Sequence, residues 1–243
     1  MRLTFLGTGS AMPDGERMQS GLLLEDGERT LLVDAGSGVL HRLARTRAGY
    51  EGVDAVLLTH HHADHVSDLL PLIKARWLAG EEAIEVVGPP GTDALLQDFF
   101  AVYEYLEGRV DVSVREVEAG SFSVAGFGVD AIETRHSLPG LAYRFDDRLT
   151  VSGDTEAFSA MGDFAAVGDV LVHDCSFPDG VDVSNHPTPS ALGEALAGSD
   201  VAELYLTHLY PHTNGEHEAM IASITAHFDG EVEVAADGRT ISV

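Results

Sequence analysis

At 243 residues the chain is long enough to bury a full core, and 44% hydrophobic content marks a folded protein, not a disordered acidic tail. Its 40 acidic residues against 14 basic ones give a formal charge of −26, with Lys74 the single lysine, which argues against a phosphate-gripping nucleic-acid surface. No apolar run approaches the roughly 20 residues of a membrane span, and Cys175 alone builds no disulfide framework, as suits a cytoplasm.

The acidic residues are scattered singly and in pairs, so they read as a solvated surface. Their mutual repulsion destabilises a compact chain in dilute buffer. It fades in molar salt, where the Debye length is about 3 Å. A cytoplasmic, halophilic protein is expected.

The opening MRLTFLGTGSAMPDGE carries one Arg and a brief apolar stretch, and reads as a first strand, not a signal peptide. LTFLG, GLLLED and TLLVDAG predict three strands with turn glycines between them. GVLHRLARTRAG has helical spacing, and VDAVLLTH is a strand apolar on both faces. DHVSDLLPLIKARWLAG predicts one helix that begins inside a histidine cluster. AIEVVGP is a strand and TDALLQDFFAVYEYLEG a helix. The stretches VDVSVREVEAG, FSVAGFGVDAIETRH and LAYRF are β-rich. LTVSGDT, DVLVHDC and AELYLTH are further strands, separated by helices near EAFSAMGDFAAV and TPSALGEALAG. AMIASITAHF is a last helix before VEVAADGRTISV. With no linker or repeat, the expectation is one layered α/β domain over residues 1–243.

Four of these strands end on a coordinating residue: His60, His136, Asp154 and His208. Strand ends are rigid, and loops leaving them are where sites are built. The densest stretch, LTHHHADHVSDL, reads H-x-H-x-D-H from His60 through His62 and Asp64 to His65, with His61 a spacer turned away. His60 and His62 can face one point and Asp64 and His65 a neighbouring one. Zinc accepts imidazole nitrogen and carboxylate oxygen at about 2.0–2.2 Å. Two such centres about 3.5–4 Å apart clamp a shared hydroxide. His41, His217 and His227 are read as ordinary hydrogen-bonded residues. Gly7 and Gly9 lack a nucleotide-loop pattern and are read as a tight backbone turn beside the metals.

The order H-x-H-x-D-H, then His136, then Asp154 in SGDT, then His208 in LTH, resembles the metallo-β-lactamase superfamily over essentially the whole chain. The resemblance implies a four-layer αββα sandwich and two Zn²⁺ ions, for which Mn²⁺ or Fe also suit the donors. It assigns His60, His62 and His136 to one ion, Asp64, His65 and His208 to the other, and Asp154 to a bridge. True β-lactamases of this fold usually carry Cys where Asp154 stands. Glyoxalase II-like thioesterases surround the third motif with P-G-H-T-P-G-H, where this chain has TRHSLPGLAYRF.

FLGTGSAMP, VDAGSG, THHHADHVSDLLPL and HSLPGLAYRF are instead similar to the ribonuclease Z-like branch. LVHDCSF and NHPTPSALGEALAG resemble that branch's H-E-A-T and H-S-T segments. His186, 22 residues before His208, is then the general acid, with His212 a second candidate, and Asp64 holds the attacking water. By the same comparison His173 is a structural strand residue, Asp174 a partner behind the ligands, and Cys175 a small buried hydrophobe.

Two departures matter. Only 17 residues separate His136 from Asp154, enough for two strands and a turn but not for a tRNA-gripping arm. LYPHTN also stands where the branch has S-S-R-Y. The expected function is hydrolysis of a small-molecule phosphodiester, a cyclic nucleotide or cyclic sugar phosphate, by a metal-bridging hydroxide. Lactone or thioester hydrolysis is the alternative; tRNA 3′ processing and a non-hydrolytic metal protein rank below. No membrane or nucleic-acid partner is expected, and a homodimer suits the branch.

Overall fold

The computed structural model describes residues 1–181 and 184–243 as two seven-stranded sheets packed face to face with helices outside. The first sheet holds β1 (Arg2–Gly7), β2 (Gly21–Asp26), β3 (Arg29–Val33), β4 (Ala55–Leu57), β5 (Ala83–Gly88) and β6 (Asp111–Glu116). The second holds β7 (Gly120–Val124), β8 (Phe127–Glu133), β9 (Leu141–Phe145), β10 (Leu149–Val151), β11 (Val170–Asp174), β12 (Glu203–Thr207) and β13 (Glu231–Val234). The last strand, β14 (Thr240–Ser242), returns to the edge of the first sheet and pairs antiparallel with β1. Each sheet is antiparallel at one end and parallel at the other. The parallel pairs need crossovers, which the helices supply.

The unbroken apolar runs have a simple physical origin. Leu22 and Leu24 join the core between the sheets, while Leu23 faces the other way into a core under the helices. Leu31 and Val33 split from Leu32, and Ala55 and Leu57 from Val56, in the same manner. With side chains alternating at a period of two, a strand buried on both faces must be apolar throughout. Helices α1 (Val39–Leu43), α2 (Ala63–Val66), α3 (Leu69–Ala79) and α4 (Thr92–Val102) follow strands of the first sheet, and all four contribute to its outer core. On the far side lie α5 (Ser159–Ala165), α6 (Pro189–Leu196) and α7 (His217–Thr225). These are the expected layers. Among the described residues no helix is long and apolar enough to cross a membrane.

Three predicted helices are shorter than their sequence pattern. The run after the histidine cluster breaks at Ser67 and Asp68. There the Asp68 N–H donates to the Ala35 carbonyl, and the Ala35 N–H to that of His65. A continuous helix would send the Asp68 N–H to Asp64 instead. The Asp64 carbonyl faces Gly36, where a Cβ would stand 2.0 Å away, so only glycine fits. α1 ends at Leu43, whose carbonyl accepts from the Thr46 hydroxyl. α4 stops at Val102, and a 3-10 turn follows over Glu104–Leu106.

The sheets are also tied by polar chemistry. The Tyr143 hydroxyl, fully buried on β9, donates to the Leu58 carbonyl just past β4 at 2.8 Å. Tyr143→Phe is expected to destabilise the fold by about 1–3 kcal/mol, because it strands a buried carbonyl without creating a cavity. Urea unfolding measures this, and an unchanged midpoint would refute it.

Candidate metal centre

The seven residues singled out in the sequence meet at the rim where strands of both sheets end. His60 and His62 lie on the turn after β4, and Asp64 and His65 on α2. His136 follows β8, Asp154 follows β10 and His208 follows β12. His60, His62, His136 and Asp154 bring ligand atoms within 4.8 Å of one another, and Asp64, His65 and His208 form a second such group. Asp154 stands between the groups, 3.7 Å from His60 Nε2, 3.3 Å from His65 Nε2 and 3.2 Å from His208 Nε2.

Outward hydrogen bonds decide which nitrogen of each ring faces inward as a lone pair. His136 Nδ1 donates to the Asn185 carbonyl at 2.9 Å, which leaves Nε2 bare. The Thr59 hydroxyl gives its proton to Asp34, so His60 Nδ1 donates to Thr59 Oγ1 at 3.1 Å. His65 Nδ1 donates to Asp34 at 2.7 Å. His208 Nδ1 donates to Ser176, whose own hydroxyl donates to Asp174. The inward atoms then crowd together. His62 Nδ1 lies 3.0 Å from both His60 Nε2 and His136 Nε2, and His208 Nε2 lies 3.1 Å from Asp64 Oδ2.

Lone pairs facing at such distances repel unless a cation sits among them. His65 Nε2 is buried without a hydrogen-bond partner, although buried polar nitrogens are normally satisfied. Imidazole and carboxylate are the donors that zinc, manganese and iron accept. The residues therefore fit a divalent metal centre.

Electrostatics agree with this. Burial holds the His60 pKa far below the ordinary histidine value, helped by His65, and burial also lowers His62. Burial alone would raise Asp154, but His208 and His65 reverse the sign and hold its carboxyl well below the usual range. Asp64 is lowered against the pull of burial, chiefly by the His208 ring beside it. Burial opposes the charging of His65, yet Asp154 and Asp34 lift its pKa well above the ordinary value. A metal must displace that proton, so affinity falls as pH drops through the raised pKa.

The spacer His61 turns away, its Nε2 2.9 Å from Thr92 Oγ1. His173 is fully buried on β11 with Nδ1 donating to the Asp174 carbonyl, and Cys175 is a buried free thiol. His186 stands inside the constellation. Its Nδ1 donates to Asp174 at 2.7 Å, and its ring centre lies 5.1 Å from His136 and 5.3 Å from His208. His212 stays at the rim, 5.4 Å from the Phe177 ring. Gly7 packs against the Gln19 carbonyl, which a Cβ would meet at 1.7 Å, and the next residue's carbonyl accepts from the Leu209 N–H. The tight turn thus lies beside His208.

Sequence reasoning missed Asp34, Ser176, Phe177 and Tyr210. Asp34 follows β3 and accepts from the Thr59 N–H, the Thr59 hydroxyl and His65. Its place at a strand end was the available signal. Asp34 (φ 60°) and His208 (φ 57°) both hold left-handed backbone, strain that persists only where surroundings enforce it. Tyr210 stacks on Phe177 at 4.5 Å and faces the site, its pKa pushed up to about 12 by burial and by Asp64. Asp34→Ala is expected to weaken metal affinity about 10–100-fold, because His65 loses the partner that fixes its ring. Competition with a chromophoric chelator measures this, and unchanged affinity would remove Asp34 from the site.

A beta-lactamase superfamily domain profile matches residues 29–209. The protein named ribonuclease Z from Mycobacterium bovis is 30% identical over an alignment spanning all of this chain and 98% of its own length. The metallo-beta-lactamase fold protein YhfI from Bacillus subtilis superposes with a TM-score of 0.86 at 25% identity, covering 99% of this chain and 98% of its own. Human tRNase Z, short form, shares the fold with a TM-score of 0.79 at 22% identity, covering 100% and 99%. Sheet order, the meeting of the motif residues and these matches agree: the chain belongs to the beta-lactamase superfamily, on its ribonuclease Z-like branch.

Proposed function

We propose that the chain is a metal-dependent hydrolase of small phosphodiesters, such as a cyclic nucleotide or cyclic sugar phosphate. In this reading two zinc ions are held, one by His60, His62 and His136, the other by Asp64, His65 and His208, with Asp154 between. The convergence of inward lone pairs carries the reading. Divalent metals bound there supply the positive charge that makes water acidic near pH 7 and offsets charge on the phosphoryl oxygens.

The chain's own groups do the rest. Asp64 and Asp154, held ionised, accept hydrogen bonds from the attacking water and orient it toward phosphorus. His186 keeps Nδ1 on Asp174, so its Nε2 is the proton donor for the leaving oxygen.

Phosphorus is favoured as the electrophile by the relatives named ribonuclease Z. Small size is favoured by three features. The segment between His136 and Asp154 contains only β9 and β10. The relative's alignment runs over 277 positions against 243 residues here, so the relative carries insertions. The −26 charge also opposes an RNA backbone.

Bis-p-nitrophenyl phosphate, a lactone and a thioester offered to one preparation test the reading. Turnover of the lactone or thioester alone would overturn the phosphodiester while leaving the centre standing. The charge adds a further expectation. For an anionic substrate, kcat/KM should rise as the Debye length shortens from about 10 Å at 0.1 M salt to about 3 Å at 1 M. A fall with the far-UV circular dichroism unchanged contradicts it. A salt-rich cytoplasm is the setting this proposal implies.

A further inference from the structure

Basic residues are scarce in this chain, yet four of the 14 line one cavity of about 300 Å³. Arg2 opens β1, and Arg2, Thr4 and Leu6 share one face of that strand. Arg42 lies on α1, with Arg45 and Arg47 just beyond it. Gly238 and Thr240 close the wall beside β14, and the Thr4 and Thr240 hydroxyls meet at 2.9 Å.

The internal compensation is incomplete. Arg2 and Arg47 share one carboxylate, Glu25, at 2.6 and 3.3 Å. Arg42 pairs with Asp237 at 3.3 Å. Among the described residues Arg45 pairs with no carboxylate; its guanidinium reaches His41 Nε2 at 3.1 Å. Four guanidiniums against two carboxylates leave an excess of positive charge on a chain that is −26 overall. Like charges gathered this closely repel unless an anion joins them. A guanidinium fork matches phosphate geometry, and hydroxyls and a side-chain-free glycine line the same wall.

We propose that this cavity is a binding site for a compact phosphate anion of pyrophosphate size. It is separate from the metal centre. The two cavities share no lining residue: the one beside Asp154 and His208 is walled by inter-sheet core residues such as Leu22, Val33, Val151 and Val172. The inference stands independently of the proposed hydrolysis. The ligand is a small anion and not a nucleic acid, because the guanidiniums gather around one pocket of about 300 Å³ and form no extended basic stripe.

Calorimetric titration of the metal-loaded protein with pyrophosphate tests the site on three forms: wild type, the double variant Arg45→Gln/Arg47→Gln, and Asp154→Asn. Arg45 and Arg47 are exposed, and Glu25 keeps Arg2, so the double variant should fold; circular dichroism checks it. Saturable binding is expected in the wild type, weakened about tenfold or more in the double variant, in keeping with the strength of charged hydrogen bonds. It should persist in Asp154→Asn. Equal affinity in the double variant, loss confined to Asp154→Asn, or no saturable binding at millimolar ligand would each overturn the proposal.

Discussion

Asp154→Asn is expected to lower kcat on a phosphodiester by about 10³-fold or more and to reduce bound metal below two ions per chain. The residue is buried between both ligand groups, within 4 Å of nitrogens from His60, His65, His136 and His208. Asparagine keeps the volume and one oxygen, so packing at this position is spared; what is lost is the negative charge. That charge is what would hold a divalent cation among several inward imidazoles in one small space. A bound metal contributes several kcal/mol of transition-state stabilisation, and about 1.4 kcal/mol is worth tenfold in rate. Removing even one ion therefore reaches the stated loss. Elemental analysis and steady-state kinetics on the same sample separate the effects. A variant that keeps full metal and more than a tenth of wild-type kcat would show that Asp154 does not bridge the two halves.

The same residue illustrates what the sequence could and could not disclose. LLTH, IETRH, TVSGD and LYLTH each place a coordinating side chain immediately after a β pattern, and strand ends hold position well enough for that to be legible. The seven residues named from spacing and resemblance do meet in space. The groups that orient them were harder to see. Asp34 sits in a segment that reads as an ordinary strand-to-turn step, and its value comes from Thr59 and His65, 25 and 31 residues away. Ser176 reaches His208, a contact 32 residues apart in sequence. The break between α2 and α3 has a similar cause: the competing acceptor is the Ala35 carbonyl, invisible to any helical periodicity around Asp68. Local pattern carries the strands because alternation is local. The arginine pocket joins residues 2, 42–47 and 238–240 and exists only after β14 closes the sheet edge.

His186 carries the second large expectation. His186→Ala should lower kcat about 10²–10⁴-fold for a substrate with an alkyl or ribose leaving group, and under about tenfold for p-nitrophenyl esters, whose phenolate departs without a proton. The geometry supports a donor: Nδ1 is committed to Asp174, which leaves Nε2 as the group that can give a proton to substrate. Burial would depress the His186 pKa, but Asp174 beside it reverses that and raises it above the ordinary histidine value. An acid with a raised pKa stays protonated further into the neutral range, and activity is lost as pH climbs through that pKa. Asp174→Asn removes the raising charge, so the basic limb of its kcat profile should move to lower pH, while His186→Ala should lack that limb. His186 also lies within ligand distance of Asp154 and His208, so a purely ligating role is the competing account. Ligation predicts equal losses on both leaving groups together with reduced metal content, and that result would transfer the proton-donor role elsewhere.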